Sequence, residues 1–136
     1  MNDASEWLRR AHEDLEEARV SRDPRISAHY AQQAAERAIK ALICDLGGSA
    51  DRTHNILDLL LSVHSLDNRL GTQLLLSYGN AGARLTEFAG GPRFDVEVPA
   101  PQAKDAVETA RQIVAAVRTV VEVRRCQGRC ERTAPD

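Results

Sequence analysis

Apolar positions recur every three to four residues along five stretches of the chain, and clusters of Gly, Pro, Asp and Asn separate them. In the first, Trp7, Leu8, Ala11, Leu15 and Ala18 alternate with Arg9, Arg10, Glu13, Glu16 and Glu17. That spacing predicts an amphipathic helix from about Ala4 to Val20, with Asp3 as its cap and Glu6 completing a capping box. After a short turn at Ser21 to Asp23, Pro24 suits the first position of a second helix, which Gly47-Gly48 should stop near Leu46. At 100° per residue, Ser27, Ala31, Ala34, Ala35, Ala38, Ala41 and Leu42 share one broad face of small side chains. His29, Gln33, Glu36 and Lys40 line the opposite side, so this helix should meet two different neighbours.

Ile56, Leu59, Leu60 and Val63 predict a third helix that starts around Thr53 to Asn55. Asp67 and Asn68 open a fourth, carrying Leu70, Leu74, Leu75, Tyr78, Leu85 and Phe88, with a break or kink expected at Gly79 and Gly82. From Gly90 to Pro101 the pattern lapses into loop chemistry. It then resumes through Ala103, Val107, Ala110, Ile113, Val114, Val117 and Val121 with a period of 3.6 rather than 2. Beyond Arg125, Gly128 and Pro135 predict fraying. The expectation is an all-α, up-and-down bundle of four to five helices over residues 1–125, followed by a flexible basic tail, 126–136.

The length of 136 residues fits one domain, and 43% apolar with 28% charged residues is enough to build its core. A net charge of -2 excludes a polyelectrolyte matched to nucleic acid, so any phosphate contact needs a local patch. Cys44, Cys126 and Cys130 form an odd set without a disulfide framework, and the spacing of the last two does not match a zinc knuckle. No His has another metal-type ligand at convincing spacing, so neither a metal nor a cofactor is expected. No apolar run approaches the ~20 residues that cross a bilayer. The N-terminal residues lack the basic start and apolar centre of a signal peptide. A reduced, cytoplasmic protein away from membranes is expected.

Several segments carry a resemblance. Trp7 to Ala18 resembles the opening helix of HEPN proteins, and Ala31-Gln32-Gln33-Ala34-Ala35-Glu36-Arg37-Ala38-Ile39-Lys40-Ala41-Leu42 is similar to that family's best-known stretch. Thr53-His54-Asn55-Ile56-Leu57-Asp58-Leu59-Leu60 looks like the opening of its third helix. Leu85-Thr86-Glu87-Phe88 and Arg93-Phe94-Asp95 resemble the Arg-Tyr-Pro region before its last helix. Together these span roughly Glu6 to Val121. The resemblance implies a helical bundle that usually dimerises and often partners a minimal nucleotidyltransferase. Some members are ribonucleases in toxin–antitoxin systems, and these carry an Arg and a His separated by four to six intervening residues. Here the residues at that distance from Arg93 are Val98, Pro99 and Ala100, and Tyr30 stands where relatives often have His.

The stripe His29, Gln33, Glu36 and Lys40 has two readings. It binds a nucleotide or a partner's polar surface, with Lys40 a mobile point charge for phosphate and Gln33 reading a base edge. Or it is a solvated helix face on which Glu36 and Lys40 form an (i, i+4) pair. Arg93, in a Gly/Pro-rich loop, joins the stripe as a ligand-binding candidate because its planar fork suits phosphate. His54 reads as a cap or packing residue, and His12 and His64 as surface residues. The tail arginines Arg124, Arg125, Arg129 and Arg132 form a small basic patch. No catalytic residue is assigned. The function expected is a non-catalytic interaction module, a homodimer that binds a nucleotidyltransferase, a nucleotide or RNA. The alternative is a metal-independent ribonuclease of the HEPN toxin type, with Arg93 stabilising phosphate charge and a displaced His as base.

Overall fold

A computed structural model describes residues 3–50, 52–92 and 95–133. Within them the chain forms α1 (Ala4–Val20), α2 (Pro24–Asp45), α3 (Ile56–Leu66), α4 (Asn68–Thr86) and α5 (Ala100–Thr133), with no strand among the described residues. The all-α bundle expected from the periodicity is what the chain builds.

Side-chain caps set most of the helix starts. Asp3 accepts from the Ser5 amide at 2.9 Å, Asp23 from Arg25 at 2.9 Å, Asn55 from Asp58 at 3.2 Å and Asp67 from Leu70 at 3.0 Å. The capping box expected of Glu6 is not made, because its carboxylate is taken by Arg9 and Arg10 one turn along the helix. α2 ends in a Schellman motif. Gly47 takes φ 89°, and the Gly48 amide reaches back to the Ile43 carbonyl at 2.9 Å.

α2 is the central helix. Ala28, Ala31, Ala34, Ala35, Ala38 and Ala41 are fully buried, and their small side chains let α1 and α5 approach it closely. Leu8, Ala11, Leu15 and Ala18 face it from α1; Ala110, Ile113, Val114, Val117 and Val121 belong to the same core on α5. α3 and α4 form a second hairpin, and α4 touches α2 and α5 only lightly.

The break expected at Gly79 and Gly82 does not occur; α4 is continuous. Gly82 is buried because α3 lies against it, and a Cβ there would sit 2.6 Å from Ile56 Cγ2. Its missing side chain serves packing, not a bend. Pro101 falls inside the first turn of α5, where a helix needs no amide donor, so the loop ends at Pro99. α5 also runs to Thr133, past the expected fraying point at Arg125. Arg124 Nε donates to Asp45 at 2.9 Å and Arg125 Nη2 to Ser5 Oγ at 2.7 Å, tying this end of α5 to α2 and α1. Among the described residues, no helix is long and apolar enough to cross a membrane.

Candidate functional site

The polar stripe of α2 does not lie open to water. Glu36 is 3% exposed and Lys40 6%, so the pair that one reading placed on a solvated face is buried. Lys40 Nζ donates to Glu36 Oε2 at 3.0 Å, and the ammonium also lies 5.6 Å from the centre of the Trp7 ring on α1. The other carboxylate oxygen accepts from Gln32 Nε2 at 3.0 Å and from His54 Nδ1 at 2.9 Å. With Glu36 ionised, that contact places the His54 proton on Nδ1. Burial pushes the Glu36 carboxyl up, but hydrogen bonds from Gln32, Lys40 and His54 outweigh it and hold the group below its ordinary value.

Gln32 is the hub of this network although it lies beside the stripe rather than in it. It is fully buried, and its amide nitrogen also donates to the His54 backbone carbonyl at 3.0 Å. Its oxygen accepts from Gln33 Nε2 at 2.9 Å. α2 thus fixes the segment just before α3, and the Ile56 amide, bonded to Thr86 Oγ1 at 3.0 Å, joins that segment to the end of α4. His29 extends the same face: its Nδ1 lies 3.1 Å from the Phe88 carbonyl, which requires the proton on that nitrogen. Four members of the predicted stripe therefore share one surface, where α2 meets the start of α3 and the residues after α4.

The outer edge of this surface meets solvent. The His54 side chain is 63% exposed although its Nδ1 is anchored to a buried carboxylate. His29 and Gln33 are half-buried. On the α1 side, Arg37 bonds Asp14 at 2.7 Å, and Asp14 is buried. Burial raises the Asp14 carboxyl, with the Arg37 guanidinium opposing, and the net shift is upward. Trp7 buries its indole Nε1 without a hydrogen bond of ordinary geometry; the nearby Cys44 sulfur is a weak acceptor at best. The fifth predicted ligand residue, Arg93, lies outside the described residues.

Sequence reasoning missed Gln32, Trp7, Asp14 and the role of His54. The available signal was the pairing of two motifs: Gln32, Gln33, Glu36 and Lys40 on successive turns of α2, and Thr53-His54-Asn55 just ahead of α3. His12 and His64, expected on the surface, are half-buried, and His12 Nε2 accepts from Arg118 at 3.1 Å. Among the described residues no group of His, Cys, Asp and Glu could hold a metal ion.

No curated protein and no solved structure matches the chain. The family model for the HEPN domain matches residues 4–123, covering all but the two ends. With that span and a wholly helical bundle, the chain belongs to the HEPN domain family.

Proposed function

We infer that this chain is a non-catalytic interaction module of the HEPN family: a cytoplasmic homodimer that binds a nucleotidyltransferase partner, a nucleotide or RNA. The binding surface is the polar face of α2, whose buried Glu36 and Lys40 support His29 and Gln33 at the rim, joined by Arg93 from the loop before α5. The observation that carries this reading is the internal neutralisation of that face. Lys40 is spent on Glu36 and Arg37 on Asp14, which leaves a rigid polar surface with imidazole and amide groups at its rim. A preordered surface of this kind recognises a partner at low entropic cost. The loop supplies no base in the expected place either, since Val98, Pro99 and Ala100 do not titrate. Leu57 and Leu61 on α3 and Leu76 on α4 are exposed, which gives a second copy apolar surface to cover.

One observation favours a second reading, a metal-independent ribonuclease. His54 donates from Nδ1 to a buried carboxylate and keeps a largely exposed ring, which leaves Nε2 as an oriented base. The same experiment separates the two. Purified protein, expected by light scattering near twice 15.0 kDa, is titrated with nucleotides and short RNAs and then incubated with RNA in chelator. Binding that weakens in Gln33→Ala without any cleavage supports the module. Cleavage abolished by His54→Ala, with a pH profile displaced in Glu36→Gln, establishes the enzyme instead.

A further inference from the structure

A second polar region lies away from the α2 stripe, where the turn between α1 and α2 faces the first turns of α5. A cavity of about 360 Å³ opens there, within the ~300–1,000 Å³ range of small-molecule sites. Arg19, Arg22 and Lys104 line it, and Glu108 is its one acidic wall residue. Glu108 is already matched: Arg111 at 2.6 Å and Gln112 at 3.1 Å hold its carboxyl down at about 2. Arg22 and Lys104 make no ion pair with any described residue, and Arg19 reaches only an exposed Glu16 at 4.0 Å. On a chain of net charge -2, a concave site with this excess of cations is the local patch that phosphate recognition demands. The amides at the start of α2 add little, because Asp23 already accepts from Arg25. The cations therefore carry the charge. Between them, Pro24, Ala103 and Val107 form an apolar wall suited to the organic part of a ligand.

We propose that this cavity binds a phosphate monoester, with the Arg22 fork and the Lys104 ammonium on the phosphate and Pro24, Ala103 and Val107 against its organic moiety. A monoester carries close to two negative charges at neutral pH and three acceptor oxygens, enough for an arginine, a lysine and solvent together. An internal phosphodiester carries one charge and two free oxygens and fits less well. The site shares no residue with the α2 stripe, so it stands or falls independently of the function proposed above.

The test is an amide-resolved NMR titration of the full chain at low salt. The probes are inorganic phosphate, adenosine 5′-monophosphate, and one short oligoribonucleotide with and without a 5′-phosphate. Shifts are expected at residues 21–25 and 100–104. The double variant Arg22→Gln/Lys104→Gln should weaken binding at least about tenfold, since each cation supplies a charge-assisted contact. Arg22→Lys/Lys104→Arg should retain it, and Arg69→Gln on α4 should leave it unchanged. Tighter binding of the nucleotide than of the 5′-phosphorylated RNA identifies a free nucleotide as the source; the reverse identifies an RNA end. The proposal is overturned by either of two results: no localised shift at these residues with millimolar phosphate or nucleotide, or equal affinity in the double Gln variant.

Discussion

Replacing Glu36 with Gln removes one charge from the network and keeps its shape. Lys40, with a side chain 8% exposed, then has no carboxylate, while Gln32 and His54 can still donate to the new amide oxygen. Breaking a buried pair from one side costs about 3–5 kcal/mol, because the surviving charge stays desolvated. Lys40 keeps the face of Trp7 and lies near the exposed His54, through which water can reach the site, so the lower end, ~3 kcal/mol, is expected. For a domain of this size that corresponds to a fall in Tm of roughly 9–15 °C. The converse change, Lys40→Met, should cost less. Glu36 keeps two donors, Gln32 and His54. The single variants and the double variant Glu36→Gln/Lys40→Met form a cycle, measured by urea unfolding and by thermal melts. The pH dependence gives an independent handle. The Glu36 carboxyl is lowered in the folded state from its ordinary 4.5, so the unfolded chain binds more protons just below that pH. Its contribution is complete above about 4.5 and is lost as pH falls through the folded value; Glu36→Gln should flatten that acid limb. A Glu36→Gln protein within about 0.5 kcal/mol of wild type, with an unchanged acid limb, would refute the reasoning and return the pair to the status of a surface salt bridge.

Two further outcomes follow from contacts elsewhere in the bundle. Gly71→Ala should destabilise the protein by about 1–3 kcal/mol or more, read by chemical unfolding, because a Cβ there would lie 2.2 Å from His64 Cα and a backbone cannot yield as a side chain does. His12 is lowered from its ordinary 6.5 by burial and then by the Arg118 charge, so the folded state disfavours its protonation. Stability should therefore fall as pH drops from 6.5 through the folded value. Unfolding curves across that window should lose the slope in His12→Gln.

The helices were legible because each carries its own local instructions. Asp3, Asp23, Asn55 and Asp67 are short polar side chains placed just ahead of apolar-periodic runs, and each one caps. Local instruction failed where a distant segment decided the outcome. Gly82 reads as a weak point along α4 and becomes a contact surface once Ile56 arrives from α3. Gly128 reads as a point of fraying, yet the helix around it continues, and upstream Asp45 and Ser5 receive Arg124 and Arg125 from other parts of the chain. A side-chain contact between residues this far apart in sequence is invisible to a periodicity count.

The same distinction explains why the candidate site was only half visible. The angular positions of His29, Gln33, Glu36 and Lys40 follow from the helix alone, and all of them do share a face. Whether that face is wet depends on what lies over it. Polarity in sequence suggests solvent, since Glu and Lys are rarely buried without a partner. Here each is the other's partner, and Gln32, Trp7 and His54 complete the enclosure from three directions. Burial then changes what the residues can do. An exposed lysine is a mobile point charge for any anion, whereas Lys40 must first leave Glu36, which costs more than most single phosphate contacts return. Within this face the groups still able to meet a ligand are those at its rim, His54, His29 and Gln33. Buried charge makes the α2 face a support that orients them, and any partner recognised here is recognised by imidazole and amide chemistry.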